Sequence, residues 1–163
     1  ARLIVTVSSA LDVALEVSNP GPSPITITEA LHSYFTVSDI RFATVAGLDG
    51  ASYVDKLLDA EEQFVQRGAI QFTAETDRPY LNTEDTCAID DPGMQRRIMV
   101  AKSGSRTAVV WNPWIAKARR MEDFGDDEWT GMVCVETANA LENAVTIAPG
   151  DSHTMSASIS VEH

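Results

Sequence analysis

A histidine and a glutamate near opposite ends of the chain are the residues best suited to chemistry. His32 lies in ALHSYFTVSDI and Glu136 in MVCVETAN. Each segment reads as a β-type stretch holding one titratable side chain among apolar neighbours. An imidazole, with a free-solution pKa of about 6.5, donates or accepts protons at neutral pH. Glu136 follows Val133, Cys134 and Val135, an apolar run that desolvates a carboxylate and raises its pKa. The two supply one acid and one base, the parts needed to open a cyclic hemiacetal. Taken singly, each has a plainer reading: a strand histidine bonded across its sheet, and a solvent-facing glutamate at a strand end.

Other polar residues lie between these two. Asp77, in DRPY, is suited to accept hydrogen bonds from hydroxyl groups, with Arg78 as an alternative ion-pair partner. In WNPW, Trp111 and Trp114 could form an aromatic wall, with the amide of Asn112 for a hydroxyl; tryptophans are as often core residues. Lys117, Arg119 and Arg120 form the densest basic cluster, which suits a phosphate or simply a solvated surface. Asp126, Asp127 and Glu128 are adjacent acids that point different ways, so they read as a solvated turn. No metal and no cofactor is expected, because two side chains suffice to move the protons. Cys87 and Cys134 lack metal-type spacing and read as reduced thiols.

The balance of 24 acidic against 12 basic residues, a net charge of −12, argues against nucleic acid or an anionic membrane as partner. A single basic cluster could still hold a phosphate. No apolar run approaches a membrane span, and the opening ARLIVTVSSALDVALEV alternates like a strand rather than a leader. These features lead to the expectation of a cytoplasmic chain forming one domain over residues 1–163.

Elements that could position the site alternate with period two. Leu11, Val13, Leu15 and Val17 share a face, and Asn19-Pro20-Gly21-Pro22 is read as the stop that follows, with a proline close behind the glycine. Ile25 to Val37 reads as one long strand with His32 on its more polar side. Ile70–Asp77 reads as another strand, and Arg97–Ala101 with Thr107–Trp111 as a hairpin around Ser103-Gly104-Ser105. Met132, Cys134 and Glu136 share a face, and Met155 to Val161 alternate with serines. Helix is expected only in Tyr53–Gln66 and part of Ile115–Met121. The fold class predicted is an all-β antiparallel sandwich.

LHSYF, GLDGASYVDK, DRPY, WNPW, DFGDDEW and VCVE, in this order, with the Pro149-Gly150 that precedes the last strand, resemble the landmarks of the glucose-6-phosphate 1-epimerases (hexose-6-phosphate mutarotases) of the aldose 1-epimerase superfamily. The resemblance runs from about Ile25 to Gly150. It implies a galactose mutarotase-like sandwich, with His32 and Glu136 catalytic and Asp77 binding sugar. The implied reaction interconverts the α and β anomers of a hexose 6-phosphate or related sugar. Nothing in the chain matches the family's N-terminal segment of the type HGFAR. The expectation is therefore the C-terminal portion of such a sandwich, whose unpaired sheet edges invite self-association. The alternatives are a non-catalytic carbohydrate-binding sandwich and an aldose epimerase acting on unphosphorylated sugar. His32 and Glu136 are expected to project into one cleft, with their side chains within about a sugar's width of each other.

Overall fold

The computed structural model describes residues 1–58 and 62–162. In chain order its strands are β1 (Arg2–Val7), β2 (Leu11–Ser18), β3 (Ile25–Ile27), β4 (Glu29–Leu31), β5 (Tyr34–Thr36), β6 (Thr44–Ala46), β7 (Ser52–Val54) and β8 (Gln63–Val65). There follow β9 (Ile70–Gln71), β10 (Thr76–Leu81), β11 (Cys87–Asp91), β12 (Arg96–Ser103) and β13 (Thr107–Asn112). After a short helix α1 (Trp114–Ala118) come β14 (Met132–Asn139), β15 (Val145–Ile147) and β16 (Ser152–Glu162).

Two antiparallel sheets pack face to face. One has the order β1-β2-β16-β12-β11-β6-β9; the other has β4-β14-β13-β10-β7-β8, with β5 also paired to β14. Val45, Ile89, Ile98 and Val100 from the first sheet meet Phe35, Tyr80, Val110, Val133 and Val135 from the second in a buried core. The expected all-β sandwich is what forms.

Several boundaries differ from the sequence reading. The segment from Ile25 to Val37 is divided: β3 pairs with β15, whereas β4 and β5 both pair with β14. Ile70–Asp77 is not one strand, since β9 belongs to the first sheet and β10 to the second. The expected hairpin around Gly104 is an arch between sheets: β12 pairs with β11 and β16, β13 with β10 and β14. Gly104 has φ +66°, and a Cβ there would lie 2.1 Å from the carbonyl oxygen of Thr154, so only glycine fits this crossing. The arch is tied down by Asn139, whose amide donates to the Gly104 carbonyl at 2.8 Å.

The helix expected over Tyr53–Gln66 is absent where the chain is described, because β7 and β8 pair antiparallel there; residues 59–61 lie outside the described residues. Within that span Leu57 and Leu58 are 45% and 51% exposed and contribute no buried face. The second helix does form, as the five residues of α1.

Candidate active site

The site is set by strand register. Leu31 faces Thr137 and Tyr34 faces Cys134, so the register is identical on both sides of the break between β4 and β5. His32 therefore stands across from Glu136. The break is a tight turn centred on His32, in which the Ser33 amide donates to the Leu31 carbonyl at 3.0 Å. Tyr34, Cys134, Trp111 and Asp77 form one cross-strand row from β5 through β14 and β13 to β10. His32 and Glu136 lie in the next row on the same face, because alternate residues of a strand share a face. Phe35, Val133, Val135 and Val110 face the opposite way, into the core. The candidate site thus occupies the sheet face turned away from the sandwich interior.

His32 Nε2 lies 3.1 Å from Glu136 Oε1. The two meet directly, well within a sugar's width, since directly opposed strand residues have Cβ atoms only about 5 Å apart. The imidazole is half exposed and the carboxylate almost fully buried. Tyr34 stacks on His32 with ring centroids 4.9 Å apart, and Trp111 meets both rings edge-on at 6.1 Å. Burial pushes the Glu136 carboxyl up to about 7, and the nearby charge of Asp77 adds in the same direction.

Asp77 is also raised, first by burial; Lys56, Lys117 and His32 pull it back and Asp55 opposes them. Its neighbour Arg78 does not pair with it. Arg78 Nε donates to Asp55 at 3.1 Å and the guanidinium lies over the Tyr53 ring, which leaves the Asp77 carboxylate for another partner. Asp77 stands two strands from Glu136, roughly 10 Å at ordinary strand spacing, with Trp111 on the strand between.

Asn112 is not brought to this face. It is fully buried, donating to the carbonyls of Trp129 (2.8 Å) and Met132 (2.9 Å) while accepting from the Trp114 amide. An amide committed to three internal partners has none left for a sugar, so the binding role read from sequence is corrected to a structural one. Asn112→Ala should lower the unfolding free energy by roughly 3 kcal/mol or more, measured by denaturant titration, through three unpaired buried groups. Trp114 likewise packs on Trp129, with ring centroids 4.4 Å apart. Of the basic cluster, Lys117 reaches Asp77 electrostatically. Asp126, Asp127 and Glu128 lie at the surface, where the Glu128 carboxylate accepts from the Gly125 amide.

Three contributors were missed. Tyr34, two residues after His32 and so on its face, was legible by period two. Cys134 shares the Glu136 face and forms its floor. Lys56 closes the GLDGASYVDK segment, but alternation assigned it no role, because its approach to Asp77 depends on how β7 leads into its loop. Cys87 and Cys134 are both buried and free.

Glu136 also couples stability to pH. Its folded-state pKa is raised from 4.5 to about 7, so the native chain binds more protons than the unfolded one between those values. Stability should fall as pH rises through that window, by at most roughly 3 kcal/mol. Denaturant titrations at pH 4 and pH 8 on the wild type and Glu136→Gln should show the fall disappear in the variant.

The sequence profile of the family described as aldose 1-epimerase matches residues 1–160. A protein of Cenchrus ciliaris, provisionally named glucose-6-phosphate 1-epimerase, is 44% identical over 135 residues, covering 82% of this chain and 40% of its own length. An Escherichia coli protein with the same provisional name is 43% identical over 115 residues, covering 71% and 39%. The crystal structure of a provisionally named mutarotase, YeaD, of Salmonella typhimurium superposes with a TM-score of 0.88 at 33% identity, covering 98% of this chain and 52% of that one. The chain therefore spans about two-fifths to half the length of these relatives.

Proposed function

Because this chain belongs to the aldose 1-epimerase family, we propose that it carries the acid–base pair of a mutarotase that interconverts the anomers of a hexose 6-phosphate. The observation that carries the reading is the 3.1 Å contact between an exposed imidazole and a buried carboxylate, on a sheet face that also presents Asp77 and Trp111.

In this mechanism His32 protonates the ring oxygen while Glu136 takes the proton of the C1 hydroxyl. The C1–O5 bond breaks and the open-chain aldehyde forms. Rotation about C1–C2 turns the other carbonyl face to the ring hydroxyl. His32 then takes back the proton of that hydroxyl as its oxygen attacks, and Glu136 returns its proton to the carbonyl oxygen. Each protonation partner typically contributes roughly 10²–10⁴-fold. Asp77 would hold hydroxyl groups of the sugar, and Trp111 would supply the apolar surface beneath the ring. Asp77→Asn should therefore raise KM about tenfold or more with a smaller effect on kcat, as judged from NMR exchange rates at several sugar concentrations.

The finer assignment, phosphate on the sugar, is supported by Lys56 and Lys117, the cations whose charge reaches Asp77. A charge-assisted contact to phosphate is worth roughly 1.5–3 kcal/mol, so Lys117→Gln should weaken binding of glucose 6-phosphate by about 10–100-fold and leave glucose nearly unchanged. Equal effects on both sugars would favour an aldose epimerase acting on unphosphorylated sugar. Binding without any anomer exchange would favour a non-catalytic carbohydrate-binding sandwich. The two buried free thiols fit a reducing compartment, and we take the cytoplasm as the setting.

Self-association is part of the same proposal. Among the described residues β1 pairs only with β2 and exposes Leu3, Val5 and Val7 at 60%, 55% and 79%. A second β1, running antiparallel, would satisfy the free edge and set these side chains against their counterparts across the new pair. Val5→Lys should convert a dimer to a monomer in sedimentation velocity; an unchanged profile would remove this part of the reading.

A further inference from the structure

Cys134 has no part in the proton transfers, yet its thiol lies beside both groups that make them. His32, Cys134 and Glu136 each offer one ligand atom, and the three atoms lie within 4.8 Å of one another. The imidazole nitrogen and the carboxylate oxygen are 3.1 Å apart. Around a tetrahedral zinc ion with bonds of about 2.0–2.3 Å, neighbouring ligand atoms stand roughly 3.3–3.7 Å apart. The nitrogen–oxygen edge is near that spacing and the edges to sulfur are at most 4.8 Å, so an adjustment of about 1 Å brings the trio to one face of such a tetrahedron. We propose that it forms a binding site for a thiophilic divalent cation of the zinc type, and that an ion held there excludes sugar.

The supporting frame is rigid. Cys134 and Glu136 are alternate residues of β14, fixed between β13 and the β4–β5 edge, and both are buried. His32 approaches from across the ladder with half of its ring exposed, which leaves the fourth position open to solvent. One nitrogen, one sulfur and one oxygen ligand favour zinc or cadmium and disfavour magnesium and calcium, which take oxygen ligands in larger number. As the metal–sulfur bond forms, the Cys134 thiol releases its proton to solvent. The imidazole lone pair and the carboxylate complete the set, and nothing is oxidised or reduced. The nitrogen and oxygen bound to the ion are the atoms that would otherwise move protons, so ion and sugar compete. Ion binding itself does not depend on the sugar reading.

The test titrates the whole chain with Zn²⁺ by calorimetry without sugar, and follows Co²⁺ by absorption. One ion per chain is expected, with a cobalt–thiolate charge-transfer band. Cys134→Ala should remove the band and weaken Zn²⁺ binding at least a hundredfold, since even outer-shell losses cost about 10–100-fold. Cys134→Ser, which preserves volume, should do the same, and circular dichroism would confirm that both variants fold. Excess Mg²⁺ should not compete. No Zn²⁺ binding, a cobalt spectrum without the sulfur band, or undiminished binding by either cysteine variant would overturn the proposal. In the last case the ion would sit elsewhere, His153 beside Glu29 at 3.0 Å being the obvious place. Failure of the chain to exchange anomers would leave these binding results intact and count only against the mutarotase reading.

Discussion

On the proposed mutarotase reading, Glu136→Gln should lower the rate of anomer exchange of glucose 6-phosphate by about 10²–10⁴-fold while leaving KM within a few-fold. Glutamine keeps the volume and one oxygen towards His32 but cannot take the C1 hydroxyl proton. The loss therefore falls on the step in which that proton moves, not on binding. His32→Gln should cost a comparable factor, because the ring oxygen then leaves as an alkoxide without a proton. The double variant should be little worse than the poorer single variant, since removing either partner already breaks the concerted transfer. Saturation-transfer NMR on the wild type and the three variants measures all of these rates. Near-normal exchange by Glu136→Gln would show that another group is the base.

The site was legible in the sequence to the extent that strand alternation determined it. Period two put His32 and Tyr34 on one face of their segment, and Cys134 and Glu136 on one face of theirs. Register then brought those faces together. Alternation does not reveal which strands become neighbours. Ile70–Asp77 and the segments flanking Gly104 alternate as well as any hairpin, yet each is split between the two sheets. The chain changes sheet where the core requires it, and the local pattern carries no trace of that choice. Asn112 shows a second limit. An amide between two tryptophans has the same sequence signature whether it faces a ligand or holds the interior. Its burial depends on the carbonyls of Trp129 and Met132, which come from the approach to a strand that pairs with its own. Leu57 and Leu58 show the converse, apolar residues left in solvent by a turn.

The pH dependence of exchange should carry the mark of the Glu136 environment. A strand-end glutamate in water titrates near its ordinary value of 4.5, so kcat/KM would be flat from pH 6 downwards to about 5. Here burial, with the charge of Asp77 behind it, lifts the carboxyl to about 7. The base is the deprotonated form, so the low-pH limb of kcat/KM should fall tenfold per unit of pH below that value. The direction follows from the chemistry: lowering pH fills the proton-accepting site before substrate arrives. Asp77→Asn supplies the internal check. Removing that negative charge deletes the second cause of the shift, so the ascending limb should move to lower pH even though Asp77 itself transfers no proton. A limb left in place would show that the charge of Asp77 does not reach Glu136. A limb centred near 4.5 in the wild type would mean that the catalytic base sits in water, and the buried carboxylate of Glu136 would lose its assigned part in the reaction.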